Sequence, residues 1–200
     1  MTAMNGIKTI GITGGIGSGK SYVSAILQEK FGIPVYDCDK EAKRLTASNE
    51  EIRQKLIALV GPEVFDGNKL NKQLLADYLF ADVEHASMVN AIIHPVVLQD
   101  FKRWAEEQHE KPIVALESAI LFESGFNEMV DKVLFVDAPE EVRLRRAMLR
   151  DTASEAQIRA RMKMQRPELH RLQADFIINN NQTDDSQLLN QLEKLLTLNS

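Results

Sequence analysis

Eight consecutive residues stand in an order that phosphate chemistry selects: Gly14-Gly15-Ile16-Gly17-Ser18-Gly19-Lys20-Ser21. The spacing is G-x-x-x-x-G-K-S, a loop that wraps phosphates. Glycines let successive backbone N–H groups turn inward as an anion nest that side chains would obstruct. A helix starting near Lys20 adds its positive N-terminal end. Lys20 then reaches the β- and γ-phosphates of ATP, and Ser21 offers its hydroxyl to Mg²⁺. Gly15, Ile16, Gly17, Ser18, Gly19, Lys20 and Ser21 are therefore the expected nucleotide-binding residues, with Ser21 as metal ligand. The bland reading is a chance glycine-rich turn, which would not usually sit between a strand and a helix. A dinucleotide fingerprint does not fit, since Lys20 occupies the place of its third glycine.

Other reactive residues are placed less decisively. Asp37-Cys38-Asp39 follows a short apolar run, where a carboxylate could take a proton from an attacking hydroxyl or cap the next helix. Arg143, Arg146 and Arg150 are spaced i, i+3, i+7 and can share one helix face, whereas Arg145 cannot. That row could bind phosphates or stack on adenine; its alternative is a solvated basic face paired with Glu140 and Glu141. Glu117 ends an apolar run, where an acid could hold Mg²⁺ through water. His94 has no nearby partners at metal spacing, so it reads as a substrate contact or as a boundary residue before Pro95.

Positioning these residues requires a frame. Ile7–Thr13 reads as a strand entering the loop, Val23, Ile26, Leu27 and Phe31 as one face of the following helix, and Ile33–Tyr36 as a second strand. From about Glu41 to Lys111 the pattern is mostly helical: Ser48 with Glu51 forms a capping box, Gly61-Pro62 closes that helix, and further helices cover Leu70–Phe80 and Val83–Gln108. Ile113–Leu116, Val133–Val136 and Phe176–Ile178 complete the strands. Pro139 opens the arginine helix, Ser154 with Gln157 caps another, and a leucine stripe from Leu188 to Leu196 marks the last. Alternating strands and helices predict an α/β fold of three layers, with a parallel sheet of about five strands and a helical insertion. The expected nucleotide-binding core is 1–40, 112–147 and 174–200, and the helical insertion is 41–111.

The bulk properties agree. The 200 residues are 44% hydrophobic and 26% charged, with net charge −5 and one cysteine. Such a chain builds a core without disulfides, and its charge argues against nucleic acid as partner. No secretory leader and no bilayer-length apolar run is legible, so no membrane association and a cytoplasmic location are expected.

The ordered set of motifs resembles the dephospho-CoA kinase family, within the nucleoside-monophosphate-kinase-like P-loop group. The resemblance runs through Thr13–Ser21, Asp37-Cys38-Asp39, His94-Pro95, Ile120-Leu121-Phe122-Glu123, Arg146 with Arg150-Asp151, and Ala174-Asp175-Phe176-Ile177-Ile178-Asn179-Asn180. It departs from the family at Glu117-Ser118-Ala119, where Asp followed by Pro is usual, and at Gln182, where Gly is usual. The resemblance implies ATP-dependent phosphorylation of the ribose 3′-hydroxyl of dephospho-CoA, giving coenzyme A and ADP. It implies Asp39 as base, with Lys20 and Arg146 completing the catalytic set. Arg146, Arg150 and Asn180 would bind nucleotide, Thr13, Asp39, His94 and Glu117 the substrate, the insertion 41–111 would be substrate-binding, and 148–173 would form a helical lid. The chain's partners would be the small-molecule substrates ATP and dephospho-CoA; a monomer is expected, with room for weak self-association. Two alternatives stay open: another small-molecule or nucleotide kinase of this architecture, and a GTP-dependent switch. Against the switch, no N-K-x-D, T-K-x-D or D-x-x-G motif occurs.

Overall fold

The computed structural model describes residues 8–150, 152–165, 167–181 and 185–197. Ile7, Asp151 and Gln182, which figured in the sequence reading, lie outside them. The chain divides into two compact units, Met1–Tyr36 with Gln108–Ser200, and Asp37–Glu107.

The first unit begins with β1 (Lys8–Thr13), the glycine loop and α1 (Lys20–Phe31). It continues with β2 (Val35–Asp37), whose last residue already belongs to the second unit. After the second unit come β5 (Ile113–Glu117), β6 (Lys132–Asp137), α6 (Glu140–Arg150), α7 (Glu155–Met164), α8 (Pro167–Gln173), β7 (Phe176–Asn179) and α9 (Asp185–Thr197). The sheet order is β2-β5-β1-β6-β7, and β1 pairs in parallel with both β5 and β6, as β6 does with β7. A parallel sheet is covered on both faces, which explains why its strands are runs of apolar residues rather than alternations. Ile10, Ile12, Ala115, Leu134, Val136 and Ile178 from the strands pack with Val23 and Leu27 of α1 and Leu188, Leu192 and Leu195 of α9. β1 is central, and the loop leaves its carboxyl end, the edge where open α/β sheets bind ligands.

The second unit holds α2 (Cys38–Ser48), α3 (Glu50–Val60), β3 (Phe65–Asp66), β4 (Lys69–Leu70), α4 (Lys72–Leu79) and α5 (Val83–Glu107). α2, α3 and α4 all pack on α5, around Ile52, Leu56, Val89, Val97 and Phe101. Three details differ from the sequence reading. The cap of α3 is Asn49, whose side chain accepts from Ile52 N at 3.0 Å; Ser48 instead donates to the Arg44 carbonyl at 2.8 Å, ending α2. The helix expected from Leu70 begins at Lys72, because Asn71 caps it and Lys69–Leu70 pairs with Phe65–Asp66 as a small antiparallel hairpin. The turn residues Gly67-Asn68 signal such a hairpin, but strands this short carry no periodicity to read. Finally, α5 runs through Pro95 without ending. His94 is therefore a helix-interior residue and not a boundary. Pro95 supplies no N–H to the carbonyl one turn back, a cost of about 3 kcal/mol that packing of the rest of α5 offsets.

Candidate active site

The glycine loop is fixed from below and from one side. β1 delivers Thr13, fully buried, to the sheet edge, and α1 starts at Lys20. Lys20 Nζ folds over the loop and donates to the carbonyls of Gly14 at 2.9 Å and Gly15 at 3.4 Å. A lysine held there stands where it can trade carbonyl oxygens for phosphate oxygens.

On the side of α1, Ile12 and Glu117 are register partners in β1 and β5. Glu117 is 8% exposed and accepts two hydroxyl hydrogen bonds, from Ser21 Oγ at 2.8 Å and Ser24 Oγ at 2.7 Å. The carboxylate is thus oriented by α1 itself, one turn deep. Ser24 is an addition to the sequence reading; its i+3 spacing from Ser21 was a usable signal. The unusual Glu117-Ser118-Ala119 sequence keeps an acid in this place and lets Ser118 N bond the Ile12 carbonyl at 3.0 Å. A hydroxyl beside a carboxylate, next to a phosphate nest, is a hard-oxygen set that fits Mg²⁺.

On the other side, α6 presses its first turns on the loop. Gly17 has φ +76°, and a Cβ there would collide with the Arg143 carbonyl. Arg143 is 9% exposed, with Nε donating to the Ala138 carbonyl at 3.1 Å. Arg146 Nη1 donates to the carbonyls of Asn180 at 2.9 Å and Ser18 at 3.4 Å. Asn180 Nδ2 donates to the same Ser18 carbonyl at 2.8 Å. Arg146 and Asn180, both expected at the nucleotide, together hold the loop. Arg150, at the end of α6, is exposed. The row of three arginines thus grades from buried to exposed, and Arg143 joins the site while Arg150 lies outward. Charge alone could not rank them; the packing of Leu144 and Ala147 decides which arginines face the loop.

Gln165, which no motif singled out, accepts from Ile16 N at 2.7 Å. Among the described residues, buried polar atoms without a hydrogen-bond partner include Thr13 Oγ1, Ser18 Oγ and Arg143 Nη1. An unpaired buried polar group costs about 1–3 kcal/mol. Three of them about one loop mark a place shaped for a polar occupant rather than for stability.

Asp39 and His94 belong to the second unit. The ambiguity over the cap of α2 resolves in favour of Asp37, which accepts from Lys40 N at 3.0 Å. Asp39 lies in the first turn of α2 and is not the cap. His94 is half-buried in α5, and that burial lowers its pKa. In the same unit Asp100, 8% exposed, is paired with Arg44 at 2.8 Å and with Arg103.

Strand, phosphate loop, helix and an acid on the adjacent parallel strand, with arginines gripping the loop, define a P-loop phosphotransferase. The family follows from comparison: the sequence model of dephospho-CoA kinase matches residues 8–185, and the chain belongs to that family. A dephospho-CoA kinase of Bacteroides fragilis is 51% identical over 172 residues, covering 86% of this chain and 83% of the relative. A Thermus thermophilus protein of known crystal structure superposes with TM-score 0.82 at 34% identity, covering 96% of this chain and 97% of the other. Dephospho-CoA kinase from Campylobacter jejuni shares the fold, with TM-score 0.67 at 22% identity over 95% of this chain and 96% of the other. No helix among the described residues is long and apolar enough to cross a membrane.

Proposed function

We propose that the chain transfers the γ-phosphoryl group of ATP to the ribose 3′-hydroxyl of dephospho-CoA, completing coenzyme A in the cytoplasm. The observation that carries this reading is the family match from residue 8 to residue 185, on a chain whose loop, Ser21–Glu117 pair and arginine clamp are assembled for phosphoryl transfer.

The residues divide the work. Backbone N–H groups of Gly15–Ser21, apart from those of Ile16 and Ser18, which donate to Gln165 and to the Gly15 carbonyl, hold the phosphates, and Lys20 leaves the Gly14 and Gly15 carbonyls to bind their outer oxygens. Ser21 and Glu117 would hold Mg²⁺, which would supply charge neutralisation for the phosphates. Arg146 keeps the loop in shape by binding its Ser18 carbonyl, and Arg150 extends the positive field of the helix end outward. Asp39 accepts the proton of the 3′-hydroxyl late, because a loose transition state demands little nucleophile activation. Thr13 and His94 contact the acceptor. The second unit supplies acceptor binding, and residues 148–173 close as a lid that excludes water, the competing acceptor. The enzyme works as a monomer.

The test is ADP release coupled to a reporter, with dephospho-CoA as acceptor, followed by location of the new phosphate on the product. Phosphate on the 3′-oxygen is the expected result. Turnover with a nucleoside monophosphate and none with dephospho-CoA would overturn the reading.

A further inference from the structure

The contact between Gln165 and the glycine loop lies outside every motif above, yet it joins two parts that must act together. Ile16 is the first non-glycine residue of the loop. Its side chain packs against the cluster of Leu144 and Ala147 from α6 with Ile158 and Met162 from α7. Its N–H is spent on Gln165 Oε1, at 2.7 Å. Gln165 is the C-cap of α7, with N donating to the Met162 carbonyl at 3.2 Å. One residue of the loop is thus held twice by the same helical layer, once through packing and once through a hydrogen bond.

The position along the loop indicates which phosphate Gln165 faces. Gly19-Lys20-Ser21 merges with the start of α1 and serves the inner phosphates. Gly14–Ile16 forms the outer end, where Lys20 Nζ now rests. A Cβ placed on Gly15 would stand 3.2 Å from Arg143 Cζ and 3.6 Å from Gln165 Oε1. The buried Arg143 guanidinium, with Nη1 unpaired, and the Gln165 carboxamide therefore flank the same α-carbon. A carboxamide suits this place in both states: its oxygen satisfies Ile16 N–H, and its NH₂ can donate to an anion alongside.

We propose that Gln165 is a positioning residue that ties the α6–α7 layer to the outer end of the phosphate loop and faces the terminal phosphoryl group of a bound nucleoside triphosphate. This rests on the reading of the loop as an ATP site. It makes the order of α7 responsive to the γ-phosphate and much less so to a diphosphate.

The experiment compares binding of Mg²⁺–β,γ-imido-ATP and Mg²⁺–ADP by calorimetry, in wild type, Gln165→Glu and Gln165→Ala. Glutamate keeps the acceptor for Ile16 N–H, so the melting temperature of the free protein should hold. Its charge beside the γ-phosphate should weaken the triphosphate analogue by at least about tenfold, with ADP changed less than about threefold. Alanine should shift the same preference in the same direction by about threefold, and serves if the glutamate variant does not fold. Equal weakening of both nucleotides, or of neither, would overturn the inference. Wild type binding neither nucleotide would instead overturn the assignment of the ATP site.

Discussion

Gly17 gives the sharpest test of how the site is built. It takes φ +76°, and an added Cβ would overlap the Arg143 carbonyl oxygen and lie 2.7 Å from that carbonyl carbon. Gly125 offers a matched comparison in the same unit: φ is +72°, and nothing stands within 4 Å of its added Cβ. Alanine at either position incurs the left-handed backbone cost, about 1–2 kcal/mol. Only at position 17 does it also force the loop from the α6 backbone, an overpacking cost of about 1–3 kcal/mol more. The clash is with main chain, so no side-chain rotation relieves it. Gly17→Ala should therefore lose about 2–5 kcal/mol, and Gly125→Ala about 1–2. With a urea m-value of about 2 kcal/mol per molar, the two midpoints should differ by roughly 0.5–1.5 M. Gly17→Ala should also lose nucleotide affinity, while Gly125→Ala keeps it. Equal midpoints would show that α6 does not constrain the loop and would refute the reasoning.

Three further outcomes are expected. Asp39→Asn should lose most turnover with ATP affinity nearly unchanged, because it removes a base and no phosphate ligand; near-normal kcat would reduce Asp39 to a surface residue of α2. Glu117→Gln keeps an acceptor for one of Ser21 and Ser24 and lets the other hydroxyl turn, so stability should change by no more than about 1 kcal/mol. Its Mg²⁺ requirement for half-maximal rate should rise about tenfold, and an unchanged Mg²⁺ titration would remove Glu117 from the metal site. Burial lowers the pKa of His94 below its ordinary value of 6.5. The unfolded chain then binds the proton more readily, so this contribution is complete above about pH 6.5 and is lost as pH falls through the lowered value. His94→Gln should show a smaller drop in urea midpoint between about pH 7.5 and pH 5.5 than wild type; identical drops would mean the burial does not matter to titration.

The sequence by itself determined the parts whose physics is local. The glycine loop, the apolar strands Ile113–Leu116 and Val133–Val136, and the Ser154–Gln157 cap are each written in neighbouring residues, since nests, buried strands and caps depend on nearby spacing. Family resemblance added Asp39 and His94, which local spacing left ambiguous. Tertiary structure decided what depends on residues distant in the chain. Glu117 is oriented by hydroxyls on α1, 96 and 93 positions away. Arg143 counts more for the loop than its place in the arginine row suggests, because α6 lies with its first turns on Gly17. Gln165 reaches Ile16 across 149 residues, a contact that no periodicity encodes. The eight residues Gly14–Ser21 thus carry their own anion-binding chemistry, but only packing from α6, α7 and β5 settles which side chains hold that loop in shape.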